Sequence, residues 1–190
     1  ERMKILVTGG AGYIGVVLCE QLINAGHDVR VLDRLYWGHA PLQHLADRLE
    51  IVQADVRDVP AAALDGIDAV AHLAGLSNDP TAEFNPKANW EMNATATEEL
   101  ARACKEHGIK RLTFGSSASI YDGLGDDIFD ETAAVSPRGA YPLSKHPAAC
   151  PHPPVSGPDL APGTLPHGNV HGSRPPPRPQ PLVPPVPNTG

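Results

Sequence analysis

A glycine-rich turn between a strand and a helix constrains the fold of this chain more than any other feature. The stretch TGGAGYIG, residues 8–15, follows the apolar run 4–7 and leads into a helical pattern that spans residues 13–25. Gly9 permits a turn too tight for a side chain, and Gly15 allows the helix to pack close to the strand. The segment therefore predicts a strand, a tight turn and a helix in immediate succession.

The same turn has the features of a phosphate-binding site. Gly10, Gly12 and Gly15 follow the spacing G-x-G-x-x-G, which alone is a weak signal, but Gly12 would let the backbone approach a pyrophosphate at the helix N-terminus. Asp33 ends the next predicted strand, where a carboxylate can bind both hydroxyls of an adenosine ribose. Its charge favours NAD, whereas Arg34 leaves NADP open as the less favoured cofactor. A glycine turn without a ligand is the alternative.

Further apolar runs predict a parallel sheet that is buried on both faces. The predicted strands are residues 4–8, 29–33, 49–54, 69–74 and 111–116. A long helix is predicted between two of them, with Asn85 as its N-cap, Pro86 in its first turn and Gly108 at its end. Strands and helices that alternate in this way predict an α/β fold with a doubly wound, Rossmann-like parallel sheet.

Five motifs in order resemble the extended short-chain dehydrogenase/reductase family, whose typical members are NAD-dependent epimerases and dehydratases acting on nucleotide sugars. The motifs are TGGAGYIG, Asp55-Val56-Arg57-Asp58, His72-Leu73-Ala74-Gly75, SSASIY at 116–121 and YPLSK at 141–145. The resemblance covers residues 3–146, which we interpret as an NAD-binding domain. It stops after the tyrosine–lysine motif, so the family domain is interpreted as truncated.

The resemblance implies a set of cofactor-binding residues. Asp55 and Val56 would lie against the adenine, and Asn93 would tie together the strands of the active site; its alternative is a polar residue on an exposed helix face. His72 matches a family histidine that we expect to be structural. The implied cofactor-binding set is Gly9, Gly12, Tyr13, Ile14, Gly15, Asp33, Arg34, Asp55, Val56, Leu73, Ala74, Gly75 and Asn93.

The implied catalytic residues are Ser117, Tyr141 and Lys145. Tyr141 and Lys145 are four residues apart and therefore share one face of a helix. A nearby amine would lower the pKa of the phenol, which could then take a proton from a substrate hydroxyl while hydride passes to the nicotinamide. Ser117 would hydrogen-bond the reacting oxygen. The alternative is a pair of unrelated side chains on a surface helix.

The chain departs from the family directly after this motif. Pro147 follows Lys145 by two positions and should end the helix within about one turn. The Lys145 side chain therefore need not have the orientation that the family gives it. The last 45 residues contain 15 of the 21 prolines. Residues 147–190 are therefore predicted to be a non-globular, proline-rich tail that forms no further strand. A shift of reading frame is one interpretation of this break.

Two motifs in the tail match functional sites, and we favour neither interpretation. Arg178, Pro181 and Pro184 match the R-x-x-P-x-x-P ligand of aromatic-lined grooves. In so proline-dense a stretch this match is expected by chance. The side chains that could form a metal site have no fold to hold them, so no metal is expected; they are Cys150, His152, His167 and His171.

Composition limits the partners and the compartment. The chain has 15 basic and 22 acidic residues and a formal charge of -7, which argues against nucleic acid and anionic membranes as partners. Its three cysteines are widely spaced and suggest reduced thiols in a cytoplasmic protein. No stretch is apolar enough to cross a membrane.

Three hypotheses on function follow. The first is an NAD-dependent nucleotide-sugar epimerase or dehydratase whose substrate-binding lobe is missing. The second is a half-enzyme that binds NAD without catalysis, and the third is an interaction module that uses the tail. A homodimer through the long helix and the helix that bears Tyr141 is compatible with the first. The sugar, and the choice among epimerase, dehydratase and reductase, stay open.

Overall fold

A six-stranded parallel sheet forms the centre of the molecule. The computed structural model describes residues 1–77, 79–122, 124 and 133–146, together with the backbone of Ala161–Leu165. The strand order is β3-β2-β1-β4-β5-β6, so the chain winds outward on one side of β1 and then on the other. The strands are β1 (Lys4–Thr8), β2 (Asp28–Asp33), β3 (Leu49–Gln53), β4 (Ala69–His72), β5 (Arg111–Gly115) and β6 (Ala161–Leu165). The predicted doubly wound sheet is confirmed, and its switch point lies between β1 and β4.

Helices cover this sheet. They are α1 (Tyr13–Asn24), α2 (Asp79–Phe84), α3 (Pro86–Trp90), α4 (Ala96–Glu106) and α5 (Ala140–Lys145), with a 3-10 segment at Ala40–Arg48. A π-helical turn, Glu91–Thr95, joins α3 and α4 into one continuous long helix. Asn85 caps this helix as predicted, because its Oδ1 accepts the Ala88 N–H at 3.0 Å. Gly108 follows its last turn with a φ of +71°.

The sheet buries apolar side chains on both faces, as predicted. Alternate residues of β1 point to opposite sides: Leu6 belongs to one core cluster with Leu100 of α4, whereas Val7 belongs to a second with Val16 of α1. Cys19 and Cys104 are free and buried. Burial raises the pKa of both thiols to about 12, so they remain protonated and unreactive.

The sixth strand corrects one prediction. We expected no strand beyond residue 146, yet Ala161–Leu165 pairs in parallel with β5, and Leu165 lies opposite Gly115. Edge pairing uses backbone N–H and C=O groups, which an outer strand offers along its whole length, and it does not require large apolar side chains. A single proline, Pro162, is compatible with an edge strand. The prediction that nothing here could join the sheet is therefore wrong.

Both tail motifs lie outside the described residues. These are the proline motif of Arg178, Pro181 and Pro184 and the possible ligands Cys150, His152, His167 and His171. Within the described part of the chain, no helix combines the length and the apolar character that a membrane span requires.

Candidate functional site

The glycine turn lies at the switch point, pressed between β4 and α1. Gly9 has a φ of +73°, and a methyl group there would lie 2.8 Å from the backbone nitrogen of Ala74. A methyl group at Gly15 would overlap the carbonyl oxygen of Gly9. Both glycines are therefore required by the close approach of three backbone segments.

The turn opens directly onto the N-terminus of α1. Gly12 is the N-cap residue, its N–H donates to the Gly9 carbonyl at 3.0 Å, and its own carbonyl accepts the Val16 N–H at 3.0 Å. No acidic side chain occupies the first turn of α1, so the positive end of the helix dipole is not neutralised there. Tyr13 and Ile14 expose their side chains at this end. This arrangement fits a pyrophosphate.

Asp33 lies against the glycine turn from the end of β2. Its Oδ2 accepts the Ala11 N–H at 3.0 Å, and its Oδ1 accepts the Leu35 N–H at 2.8 Å. Each carboxylate oxygen can accept a second hydrogen bond. The carboxylate is therefore fixed by backbone donors and still fits a pair of ribose hydroxyls.

Asp55 lies between two arginines at the end of the neighbouring strand. Its Oδ2 contacts Arg34 Nη1 at 3.0 Å and Arg57 Nη2 at 2.7 Å, while its Oδ1 accepts from the backbone and the Nε of Arg57. The hydrogen bond from the Arg57 side chain is the main reason that the pKa of Asp55 falls to about 2. The carboxylate already has four donors, so an adenine amino group would have to replace one of them. Val56 is buried in the core.

Asn93 connects the loop after β4 to α5. It is buried in the π-helical turn. Its Oδ1 accepts the Leu76 N–H at 2.8 Å, and its Nδ2 contacts the Leu76 carbonyl and the Ser144 hydroxyl, each at 3.1 Å. A side chain at Gly75 would collide with the Asn93 Oδ1. The alternative of an exposed polar residue is therefore wrong.

Ser117 and Tyr141 lie on different elements, and a hydrogen bond joins their side chains. Ser117 follows β5, and its hydroxyl also contacts Ser119 Oγ at 3.0 Å. Burial raises the pKa of Tyr141, a hydrogen bond to Ser117 acts in the opposite direction, and Asp79 adds to the increase. We expected Lys145 to lower this pKa. The structure differs because desolvation of the phenol outweighs the favourable contact and the lysine amine is directed elsewhere.

The Lys145 side chain is buried. Its Nζ donates to the Gly115 carbonyl at 3.2 Å and lies 5.0 Å from the centre of the Phe114 ring. Burial lowers the pKa of Lys145 to about 8. No carboxylate is within salt-bridge distance of this amine among the described residues. Within the described part of the chain, a carbonyl and an aromatic face are the groups that stabilise this cation.

The short helix α5 is held at both ends, which sequence reasoning missed. It ends at Lys145, and His146 has an extended ψ of 132°, which confirms the effect predicted for Pro147. Asn89 Nδ2 donates to the Ala140 carbonyl at 2.9 Å, and Ser116 Oγ donates to the Lys145 carbonyl at 2.8 Å. Ser116 was visible only as a neighbour of Ser117, and Asn89 only as a polar residue four positions before Asn93.

His72 is a structural residue inside the sheet, as expected. Its Nδ1 contacts the Thr8 hydroxyl at 2.6 Å and its Nε2 contacts the Thr97 hydroxyl at 2.9 Å. Burial, with a smaller effect of the Lys145 charge, lowers the pKa of His72 to about 3. The ring is therefore neutral in the folded protein at neutral and mildly acidic pH.

The buried His72 predicts a loss of stability in mild acid. Below its ordinary pKa of 6.5 the unfolded chain protonates this histidine and the folded chain does not, so the free energy of unfolding should fall by about 2 kcal/mol between pH 7 and pH 5. Urea titrations at several pH values measure this slope. His72→Gln should remove most of it, whereas His44→Gln, on the surface, should preserve it; equal slopes in all three proteins would contradict the assignment.

No group of three or more potential metal ligands is present in the described parts of the chain. The site is instead made of a glycine turn at a helix N-terminus, a carboxylate at the end of β2, and the serine, tyrosine and lysine beside the switch point. A parallel sheet with this turn and carboxylate defines a dinucleotide-binding protein of the Rossmann class.

The chain belongs to the NAD dependent epimerase/dehydratase family, which it matches over residues 5–149. It is 33% identical over 145 residues to the UDP-glucose 4-epimerase of Corynebacterium glutamicum, covering 75% of this chain and 44% of the relative. It is 37% identical over 148 residues to a 3 beta-hydroxysteroid dehydrogenase/isomerase of Mycobacterium tuberculosis, covering 73% of this chain and 38% of the relative.

A solved structure of another UDP-glucose 4-epimerase also matches this chain in its fold. The UDP-glucose-4-epimerase from Stenotrophomonas maltophila, with bound NAD and formylated UDP-arabinopyranose, is 31% identical with a TM-score of 0.79. The match covers 86% of this chain and 52% of that protein. The chain therefore spans about half the length, or less, of these relatives.

Proposed function

We propose that this chain is the cofactor-binding part of an NAD-dependent oxidoreductase of the nucleotide-sugar epimerase or dehydratase type. One observation carries the proposal: the Asp33 carboxylate is fixed against the glycine turn by the Ala11 N–H, directly beside the N-terminus of α1. Diphosphate and ribose recognition are thus combined in one place. The similarity to NAD-bound nucleotide-sugar enzymes supports the same assignment.

Each element of the site would hold one part of NAD. Gly9, Gly12 and Gly15, with the exposed Tyr13 and Ile14, would bind the diphosphate. Asp33 would bind the adenosine ribose, with Arg34 next to it in the chain and its guanidinium on Asp55. Asp55 and Val56 would border the adenine. The residues proposed on the nicotinamide side are Leu73, Ala74, Gly75 and Asn93.

When bound, NAD would supply the hydride acceptor, and the chain's own residues would move the proton. Tyr141 would exchange a proton with the substrate hydroxyl at its phenol oxygen. Ser117 opposes the effect of burial on the pKa of Tyr141, so it stabilises the tyrosinate and would also hydrogen-bond the reacting oxygen. Lys145, whose Nζ lies close to Gly75, would hold the nicotinamide ribose.

NAD binding without turnover is a second candidate function. It is favoured by the end of α5 at Lys145, because the helix that bears the tyrosine and the lysine has only six residues. The two candidates share the cofactor and differ in chemistry. A panel of nucleotide sugars, assayed by NADH absorbance and by product chromatography, separates them.

The described surface also supports a proposal on assembly. Phe84, Trp90 and Leu143 expose apolar side chains on α2, α3 and α5, and we propose a homodimer through the long helix and α5. The net charge of -7 supports the exclusion of nucleic acid as a partner.

Calorimetric titration with NAD tests the proposal. Asp33→Ala should weaken NAD binding at least about tenfold, because two hydrogen bonds from the ribose to a charged acceptor are lost. Asp47→Ala is the matched control, since it removes the same charge from an exposed position, and it should leave the dissociation constant unchanged. Absence of binding at millimolar NAD by a folded wild-type chain would overturn both candidate functions.

A further inference from the structure

Arg34 is the cation best placed by sequence to accept the 2′-phosphate of NADP, yet the structure directs it elsewhere. It directly follows Asp33, the residue proposed to bind the ribose, and a nearby arginine is the usual partner of a 2′-phosphate. Its Nη1 instead lies 3.0 Å from Asp55 Oδ2. Its guanidinium carbon also lies 4.4 Å from the centre of the Tyr36 ring.

The pairing of β2 and β3 brings Asp33 and Asp55 to the same edge of the sheet. Asp33 lies opposite Gln53, and the Ala54 N–H donates to the Asp33 carbonyl at 3.1 Å. Asp55 therefore follows β3 close to the position where Arg34 leaves β2. The Asp55 side chain is 23% exposed and that of Arg34 36%, so this pair is better shielded than the Arg2–Asp28 pair, whose side chains are 73% and 50% exposed.

We propose that Asp55 sets the preference for NAD over NADP by holding Arg34 away from the ribose edge. The inference rests on the proposed NAD-binding function and adds a specificity-determining residue to it. Asp33 disfavours the 2′-phosphate by repulsion, and Asp55 keeps Arg34, the cation next to Asp33 in the chain, from offsetting that repulsion.

Arg57 keeps this arrangement in place. It binds the same carboxylate through its backbone N–H, Nε and Nη2. Asp55 is thereby held in one orientation in which its second oxygen faces Arg34. To bind a phosphate, Arg34 would have to leave both Asp55 and the Tyr36 ring, and the carboxylate would lose one of its two ion pairs.

The test compares dissociation constants for NADH and NADPH, followed by nicotinamide fluorescence. In Asp55→Asn the ratio of the NADPH constant to the NADH constant should fall about tenfold, because the freed guanidinium can pair with the phosphate. Asparagine retains the side-chain carbonyl that accepts the Arg57 N–H. Adding Arg34→Met to this variant should restore the wild-type ratio.

Two further variants make the result decisive. Asp58→Asn removes the same charge from an exposed position in the same loop and should change the ratio less than twofold; an equal fall in both asparagine variants would overturn the proposal. Arg34→Met alone should also change the ratio less than twofold, and a larger increase would show that Arg34 already binds the phosphate. Where circular dichroism finds that Asp55→Asn is unfolded, the Arg34→Met variant still tests the proposal.

The outcomes also separate this inference from the proposed function. A wild-type chain that binds NADH, with an unchanged ratio in Asp55→Asn, would overturn the specificity role and leave NAD binding intact. A folded wild-type chain that binds neither nucleotide would overturn both.

Discussion

Replacing Gly15 by alanine is expected to destabilise the fold by about 3 kcal/mol, as overpacking in a rigid interior does. The new methyl group would overlap the Gly9 carbonyl oxygen and lie 2.7 Å from the Gly10 Cα. Both atoms belong to the backbone, so no side-chain rotation relieves the clash. Urea unfolding followed by far-UV circular dichroism measures the loss, and NAD affinity should fall with it because the turn itself has to move.

Gly12 provides the matched comparison within the same turn. A methyl group there meets a single atom, the Gly9 carbonyl oxygen at 3.1 Å, and the φ of −76° is open to any residue. Gly12→Ala should therefore cost less than about 1 kcal/mol of stability yet weaken NAD binding strongly, because it fills the approach to the diphosphate. Equal losses of stability in the two variants would contradict this division between a packing glycine and a binding glycine.

Lys145→Met is expected to stabilise the protein by about 2 kcal/mol at pH 7. The folded chain lowers the pKa of this lysine from 10.5 to about 8, and the shift corresponds to about 3 kcal/mol. Loss of the hydrogen bond to Gly115 offsets about 1 kcal/mol of this gain. Methionine fills a similar volume without a charge. Thermal and urea unfolding measure the difference, and Lys110→Met, at an exposed position, should change stability by less than about 0.5 kcal/mol.

The pH dependence of this gain has a definite sign. Because the folded-state pKa is depressed, the cost of the buried ammonium is complete below about pH 8 and decreases as the pH rises toward 10.5. The advantage of Lys145→Met should therefore be constant below pH 8 and disappear near pH 10.5. An advantage that persists at high pH would mean that packing, and not charge, separates the two proteins.

Local patterns were sufficient to predict most of the sheet and the turn. Continuous apolar runs marked β1 to β5, and the effects of Asn85, Gly108 and Pro147 followed from backbone geometry alone, because capping and proline stereochemistry act within a few residues. Five motifs in family order then identified the family. Each of these signals is contained in a short segment of the sequence.

The features that were missed depend on residues distant in the sequence. The raised pKa of Tyr141 follows from burial, which a helical spacing of four residues does not report. The pairing of Arg34 with Asp55 requires β2 and β3 to lie side by side. The strand at Ala161–Leu165 depends on an open sheet edge and not on its own composition.

The anchoring of α5 makes the position of the tyrosine and lysine depend on two distant contacts. Helix α5 has six residues and is too short to be stable alone. Its two ends are held by Asn89 and Ser116, which are 51 and 29 positions away from their partners. The turn at residues 8–15 is held by β2 and by the loop after β4, through the Asp33 carboxylate and the close approach of Ala74. The tyrosine and lysine are in place only while the long helix and β5 hold the two ends of α5. The reactive pair is therefore expected to be released when either contact opens, whereas the glycine turn, which lies between core strands, stays in place.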